Sequence, residues 1–262
     1  MNTPTDANRR RRRIDFLTGR SSGTIHPFSI TPVGMGGKFA PDGSVLPYPG
    51  NTFLCHLPHD SQAQAEFESM QRELKALPWS THFTFLPPSS FHMTIFGGIA
   101  GNPLQHEGWP EELSTSLDRH DVTQWFLERL DSAVGASQLR VHVDRSDHGA
   151  SVVVLPVDEQ TRVRMRGLRD TLRDATGLQR PDHDEYEFHV SLAYLTRWFE
   201  EDEAAAYIDA LDAIVDRHRA ALDEIVLGPV EVCEFETMHA FCKVATFVET
   251  GIEPVVPAVG QP

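Results

Sequence analysis

The sequence predicts an α+β architecture built from two similar halves, and three observations carry that expectation. Segments with strand-like alternation are interleaved with segments whose apolar residues recur at helical spacing. Two short stretches, Phe91-His92-Met93-Thr94-Ile95 and Phe188-His189-Val190-Ser191-Leu192, nearly repeat each other. The approach to each is also repeated: Leu57-Pro58 and Leu155-Pro156 each close an apolar run, and His92 and His189 follow those leucines by 35 and 34 residues. Interleaving alone would fit a doubly wound sheet equally well, so the repeat is the informative part.

Taken in order, residues 1–20 are polar and contain five consecutive arginines, Arg9–Arg13. They read as a disordered basic tail. Residues 21–50, rich in Gly and Pro, read as an irregular arm. Within it Gly34-Met35-Gly36-Gly37-Lys38 hints at a phosphate loop, but no strand precedes it and no helix can follow through Pro41, so it reads as turn chemistry. Residues 51–250 are expected to form one bilobal domain, and 251–262 an extended tail.

Asn51 to Leu57 reads as a buried strand, and Ser61 to Leu77 as a helix with Phe67, Met70, Leu74 and Leu77 at helical spacing, stopped by Pro78. Thr81–Leu86 and Phe91–Phe96 read as strands around a Pro-Pro-Ser-Ser turn, with Gly97-Gly98 ending the second. Asn102–Leu117 is an insertion loop. Asp121–Val134 reads as a helix burying Val122, Phe126, Leu130 and Val134. Gln138–Val143 and Ser151–Leu155 read as strands flanking a turn.

The second half then repeats the first: a helix over Asp158–Ala175, a polar loop over Gln179–Glu185, and the strand Glu187–Leu195. Glu201–Leu222 reads as a long helix with an acidic solvent face. Strands at Glu231–Phe235 and Met238–Val248 follow.

Composition limits the function. The net charge is −15, and −20 without Arg9–Arg13, so a broad nucleic-acid-binding surface is not expected. No apolar run has the length of a membrane span. Three cysteines, Cys55, Cys233 and Cys242, sit in apolar runs and read as buried thiols in a reducing compartment. A cytoplasmic monomer is the expectation.

His-x-[Ser/Thr] occurs four times, at His59, His82, His92 and His189, and as a bare motif it is weak. Only His92 and His189 end the repeated strand–helix–strand unit. Residues two apart on a strand point to one face, so each strand offers an imidazole and a hydroxyl together. An ordinary imidazole titrates near pH 6.5, which lets one copy be neutral while another is charged. A neutral imidazole can take the proton of an attacking water or hydroxyl while a charged one protonates the leaving oxygen. Hydroxyls beside them can hold the non-bridging oxygens of a phosphate.

Paired His-x-[Ser/Thr]-apolar strands, with the lead-in Pro87-Pro88-Ser89-Ser90, resemble the 2H phosphoesterase superfamily, which includes 2′,5′-RNA ligase-like proteins and cyclic nucleotide phosphodiesterases. Gly36–Gly43 through Gly50-Asn51-Thr52 resembles an uncharacterised branch of it. The resemblance implies two antiparallel sheets with outer helices around a central cleft. It also implies His92 and His189 as the acid–base pair and Thr94 and Ser191 as phosphate ligands, with no metal and no cofactor. Ser191 keeps the hydroxyl of the commoner Thr.

The substrate expected on this reading is a nucleotide or short RNA-end phosphodiester, such as a 2′,3′-cyclic phosphate, hydrolysed with a bell-shaped pH profile. Phe96 shares parity with His92 and Thr94 and is expected to line the cleft with Tyr186. Tyr194, three past Ser191, falls on the opposite face of a regular strand.

Two alternatives remain open. A non-catalytic nucleotide- or RNA-end-binding module would bind without turnover. A metal-dependent phosphohydrolase would draw on His59-Asp60, His120-Asp121 and His183-Asp184, and would lose activity to a chelator. Against the latter, no His-Glu-x-x-His or Cys-x-x-Cys is present.

Overall fold

Ten strands form one antiparallel sheet with five α-helices against it in the computed structural model, which describes residues 6–30 and 37–255. The chain runs α1 (Asp6–Leu17), β1 (Gly50–His56), α2 (Gln62–Lys75), β2 (Phe83–Phe85), β3 (His92–Ala100), α3 (Arg119–Leu130), β4 (Arg140–Ser146) and β5 (Ala150–Pro156). It continues through α4 (Glu159–Thr176), β6 (His189–Leu195), α5 (Glu201–Arg219), β7 (Ile225–Val226), β8 (Val230–Thr237), β9 (Ala240–Val248) and β10 (Gly251–Pro254). The strand order is β10-β9-β8-β1-β3-β6-β5-β4-β7, with β2 also on β6.

The two expected sheets are thus joined into one, and the joint is narrow. β3 and β6 pair through a single residue couple, Met93 opposite Val190. The halves on either side are fully laddered: β1 pairs with β3 and β8, and β5 pairs with β6 and β4. The repeated units therefore meet back to back at their motif strands, as a local twofold requires.

Local chemistry explains the helix boundaries. Ser61 caps α2 by accepting from the Gln64 N–H, and Asp158 caps α4 by accepting from the Thr161 N–H, each satisfying an otherwise orphaned donor. Gly177, with φ of 67°, ends α4 in the left-handed conformation. α2 buries Phe67, Met70 and Leu74, and α4 buries Met165, Leu168 and Leu172, whereas Val163, which the apolar pattern also places on this helix's inner face, is exposed. α2 packs on α5 and α3 on α4, while α4 also lies against β3 and β5. No helix among the described residues is long and apolar enough to cross a membrane.

Several expectations need correction. Residues 6–17 of the supposed tail form α1, docked on α5. The acidic face of α5 is the reason: Arg10 pairs with Asp209 at 2.5 Å, Arg11 with Glu201 at 3.0 Å and Arg13 with Asp212 at 2.8 Å. Leu17 enters the core with 1 % exposure. Residues 251–254 of the second supposed tail are β10, laddered on β9. The helix over Asp121–Val134 ends earlier, and Val134 is exposed. Cys55 and Cys233 are buried, whereas Cys242 is exposed. Of the Gly34–Lys38 turn, residues 34–36 lie outside the described residues, and Lys38 is taken up below.

Candidate active site

The antiparallel couple Met93–Val190 sets the geometry. With those two residues opposite each other, His92 falls beside Ser191, and Thr94 beside His189, on the face opposite the Met93 and Val190 side chains. Met93 and Val190 are buried, whereas all four motif side chains keep partial exposure. Four groups from two distant parts of the chain thus share one face at the joint of β3 and β6.

Both imidazoles are held in the same way. His92 Nδ1 donates to the carbonyl of Ser90 at 2.7 Å, and His189 Nδ1 donates to the carbonyl of Glu187 at 2.9 Å. Since a carbonyl only accepts, Nδ1 carries the proton in the neutral ring and Nε2 remains for a ligand. Burial pushes the His92 pKa down to about 4, opposed by the Ser90 hydrogen bond and reinforced by the positive charges of His56, His189 and Lys38. His92 is therefore neutral at pH 7.

The doubling extends to an irregularity. Phe53 pairs with Phe96 and Leu54 with Thr94, so β3 has an extra residue, Ile95. Ala150 pairs with Ala193 and Ser151 with Ser191, so β6 has an extra residue, Leu192. Each bulge comes three residues after its histidine, and each reverses the face on which later side chains emerge. Phe96 is accordingly not a cleft residue: it is fully buried, near Phe53, His183 and Arg169. Tyr194 is turned the other way, into the cavity that contains His189 and Ser191. Tyr186 stands beside the site, with its hydroxyl in reach of Thr94 and its ring 6.0 Å from that of His189. Burial pushes its phenol up to about 12, so it stays a hydrogen-bond donor. The buried Arg169 guanidinium lies 4.0 Å from the Tyr186 ring and donates to the carbonyls of Ile95 and His183, which fixes the bulge and the loop before β6 together.

Each motif strand has a polar neighbour that sequence reasoning missed. On the first side, His56 is paired with His92 across β1 and β3, their rings 6.1 Å apart, and His56 Nδ1 lies 2.6 Å from Glu231. Burial would raise the Glu231 pKa, but the His56 hydrogen bond and the charges of His56 and Lys243 bring it below the usual value. His56, Glu231 and Cys233 hold nitrogen, oxygen and sulfur atoms within 4.8 Å of one another, so they have the donor set for a metal ion among the described residues. Lys243 lies 3.7 Å from Glu231 and competes for that carboxylate.

On the second side, Ser151 and Ser191 hydroxyls are 3.2 Å apart, and Asp147 pairs with His148 at 2.7 Å. Burial raises the Asp147 pKa, yet the His148 hydrogen bond and charge, with a contribution from His189, leave it lowered and the carboxylate ionised.

Lys38 is the other missed residue. Its Nζ lies 4.6 Å from the Tyr194 ring and 5.6 Å from both Phe28 and Tyr48. Among the described residues no carboxylate pairs with it, although most arginines of the chain have such partners. It shares a cavity of about 430 Å³ with His189, Ser191, Asp147, His148, Phe16 and Phe28. The Gly-Gly-Lys triplet was its only signal, and that signal lacked the flanking strand and helix that a phosphate loop needs.

The remaining histidines are dispersed. His82 stacks on Phe199 at 4.1 Å, His120 pairs with Glu234 and His183 with Asp170. The three His-Asp dipeptides do not converge as a ligand set among the described residues.

A solved structure of similar fold is a conserved protein of unknown function from Agrobacterium tumefaciens, with a TM-score of 0.78 and 28 % identity, covering 89 % of this chain and 98 % of that one. A second, from Thermus thermophilus, has a TM-score of 0.37 and 13 % identity, covers 77 % of this chain and 98 % of that one, and is too loose a likeness to bear on fold or function. No curated protein matches the chain. Residues 38–151, less than half of the chain, match the family model described as "2H-phosphodiest: Domain of unknown function (DUF1868)", a likeness in keeping with the 2H phosphoesterase resemblance.

Proposed function

We propose that the protein hydrolyses a 2′,3′-cyclic phosphate or a related nucleotide or RNA-end phosphodiester by two-histidine acid–base catalysis. The observation that carries this reading is the back-to-back placement of His92, Thr94, His189 and Ser191 around Met93–Val190, with both rings anchored through Nδ1.

Roles follow from the surroundings. His92 is neutral and takes the proton from water through Nε2 as the water oxygen bonds to phosphorus. His189, with the ionised Asp147 near enough to interact with its charge, acts as the imidazolium. It donates its Nε2 proton to the ribose oxygen as the P–O bond breaks. Thr94 and Ser191 donate to the non-bridging oxygens, and Lys38 balances charge that accumulates on them. No step in this reading requires a metal ion.

The test is turnover of nucleoside 2′,3′-cyclic phosphates by the protein and by His92→Ala and His189→Ala. Each substitution is expected to lower kcat by about 10²- to 10⁴-fold with the fold retained. Turnover by both variants at the level of the unaltered protein would contradict the proposal, and binding without turnover by the unaltered protein would favour a non-catalytic module.

A further inference from the structure

We propose that the cavity on the His189 side is the subsite for the nucleobase of the reacting nucleotide, with Phe28 and Phe16 as its stacking wall. This rests on the functional reading above, because it takes the phosphate to lie between His92 and His189.

The cavity of about 430 Å³ is continuous with the reaction centre, since His189, Ser191 and Lys38 line it. A ligand whose phosphate meets those three groups therefore extends into it directly. Phe28 is 59 % exposed, a large ring left in water at the cavity wall. The Phe16 ring lies 6.2 Å from it and itself meets the His148 ring edge at 4.9 Å. Lys38 Nζ lies 5.6 Å from the Phe28 ring, so the apolar wall adjoins a cation that no carboxylate pairs with among the described residues. Asp147 and His148 add an acceptor and a donor for the polar edge of a base or sugar. Aromatic rings beside one cation, with a few polar groups, match the chemistry of a nucleoside monophosphate. A phosphate ester without a base would leave the rings wet.

Phe16 belongs to α1 and Phe28 to the segment after it, so the subsite is built from the N-terminal part of the chain. This is a region that the repeated units do not include. The duplication supplies the catalytic groups, and this added piece distinguishes the two sides.

The test is isothermal titration calorimetry with adenosine 2′-monophosphate and with glycerol 2-phosphate, a baseless ester of a secondary alcohol. Phe28→Ala is expected to weaken the nucleotide about tenfold more than the baseless ester, the scale of one base–aromatic stack. Phe28→Trp is expected to bind the nucleotide at least as tightly as the unaltered protein, and Lys38→Ala to weaken both ligands. Equal weakening of the two ligands by Phe28→Ala, no weakening of either, or no binding of adenosine 2′-monophosphate by the unaltered protein overturns the subsite. Binding is read at equilibrium, so failure of the hydrolytic reading would appear only in the turnover assay and leave this difference intact.

Discussion

At the scale of single residues, the two imidazoles share an anchor and differ in surroundings. Burial and three positive neighbours hold His92 down to about 4, whereas two ordinary imidazoles would give a bell centred between about pH 6 and 7. The rate needs His92 neutral, so activity should fall as pH falls through about 4 and should already be level on the acid side near pH 6. Replacing His56 by Ala removes one positive neighbour, so the His92 pKa rises and the acid limb moves to higher pH. Lys38→Ala should move it in the same direction. The measurement is kcat/KM against pH on a nucleoside cyclic phosphate, with circular dichroism at each pH to exclude unfolding. An acid limb unmoved in both variants would contradict the electrostatic link among these three cations. The hydroxyl–imidazole pairing was legible because it depends only on a two-residue spacing. Lys38, His56, Glu231 and Asp147 were not, because each reaches the site through tertiary placement that no local pattern encodes.

At the scale of elements, the strands were legible wherever alternation was regular and misleading where it was not. A bulge adds one residue without altering the local apolar pattern, so parity fails beyond it: Phe96 turns inward and Tyr194 outward. The helices were legible from apolar spacing, but their partners were not. His218 of α5 is the clearest case, bonded through Nδ1 to Glu66 at 2.5 Å and through Nε2 to Glu73 at 2.7 Å, both on α2. Burial lowers its pKa, yet the hydrogen bonds and charges of Glu73 and Glu66 leave it raised above 6.5. The native state therefore holds this proton more tightly than the unfolded chain does. Its contribution is complete below about pH 6.5 and is lost as pH rises through the raised native value. Urea denaturation of the protein and of His218→Gln should show a gap in stability that is wide at pH 6 and narrows at higher pH. A gap that does not change with pH would mean that the ring acts by packing alone.

At the scale of the whole molecule, the doubled core and the α+β class could be read from the sequence, whereas the docking of α1 could not. Five consecutive arginines look solvated until α5 is known to present Asp209, Asp212 and Glu201 to them. The pairs are not equal. Arg10 and Arg11 are about half exposed, and such pairs contribute about 0–1 kcal/mol and weaken with salt. The Arg13 side chain is 8 % exposed, and its guanidinium bonds Asp212 and the Ser146 hydroxyl at the end of β4. Removing it leaves the buried Ser146 hydroxyl without its donor, whereas Asp212 is 43 % exposed and can turn to water, so Arg13→Ala should cost about 1–2 kcal/mol, while Arg10→Ala and Arg11→Ala should cost under about 1 kcal/mol each. The effect should also reach the cavity, because Phe16 follows Arg13 on the same helix and forms its wall. Arg13→Ala is accordingly expected to speed hydrogen exchange across residues 6–17 and to weaken adenosine 2′-monophosphate, with glycerol 2-phosphate affected less. Faster exchange with unchanged nucleotide affinity would separate α1 from the site and confine it to a structural role.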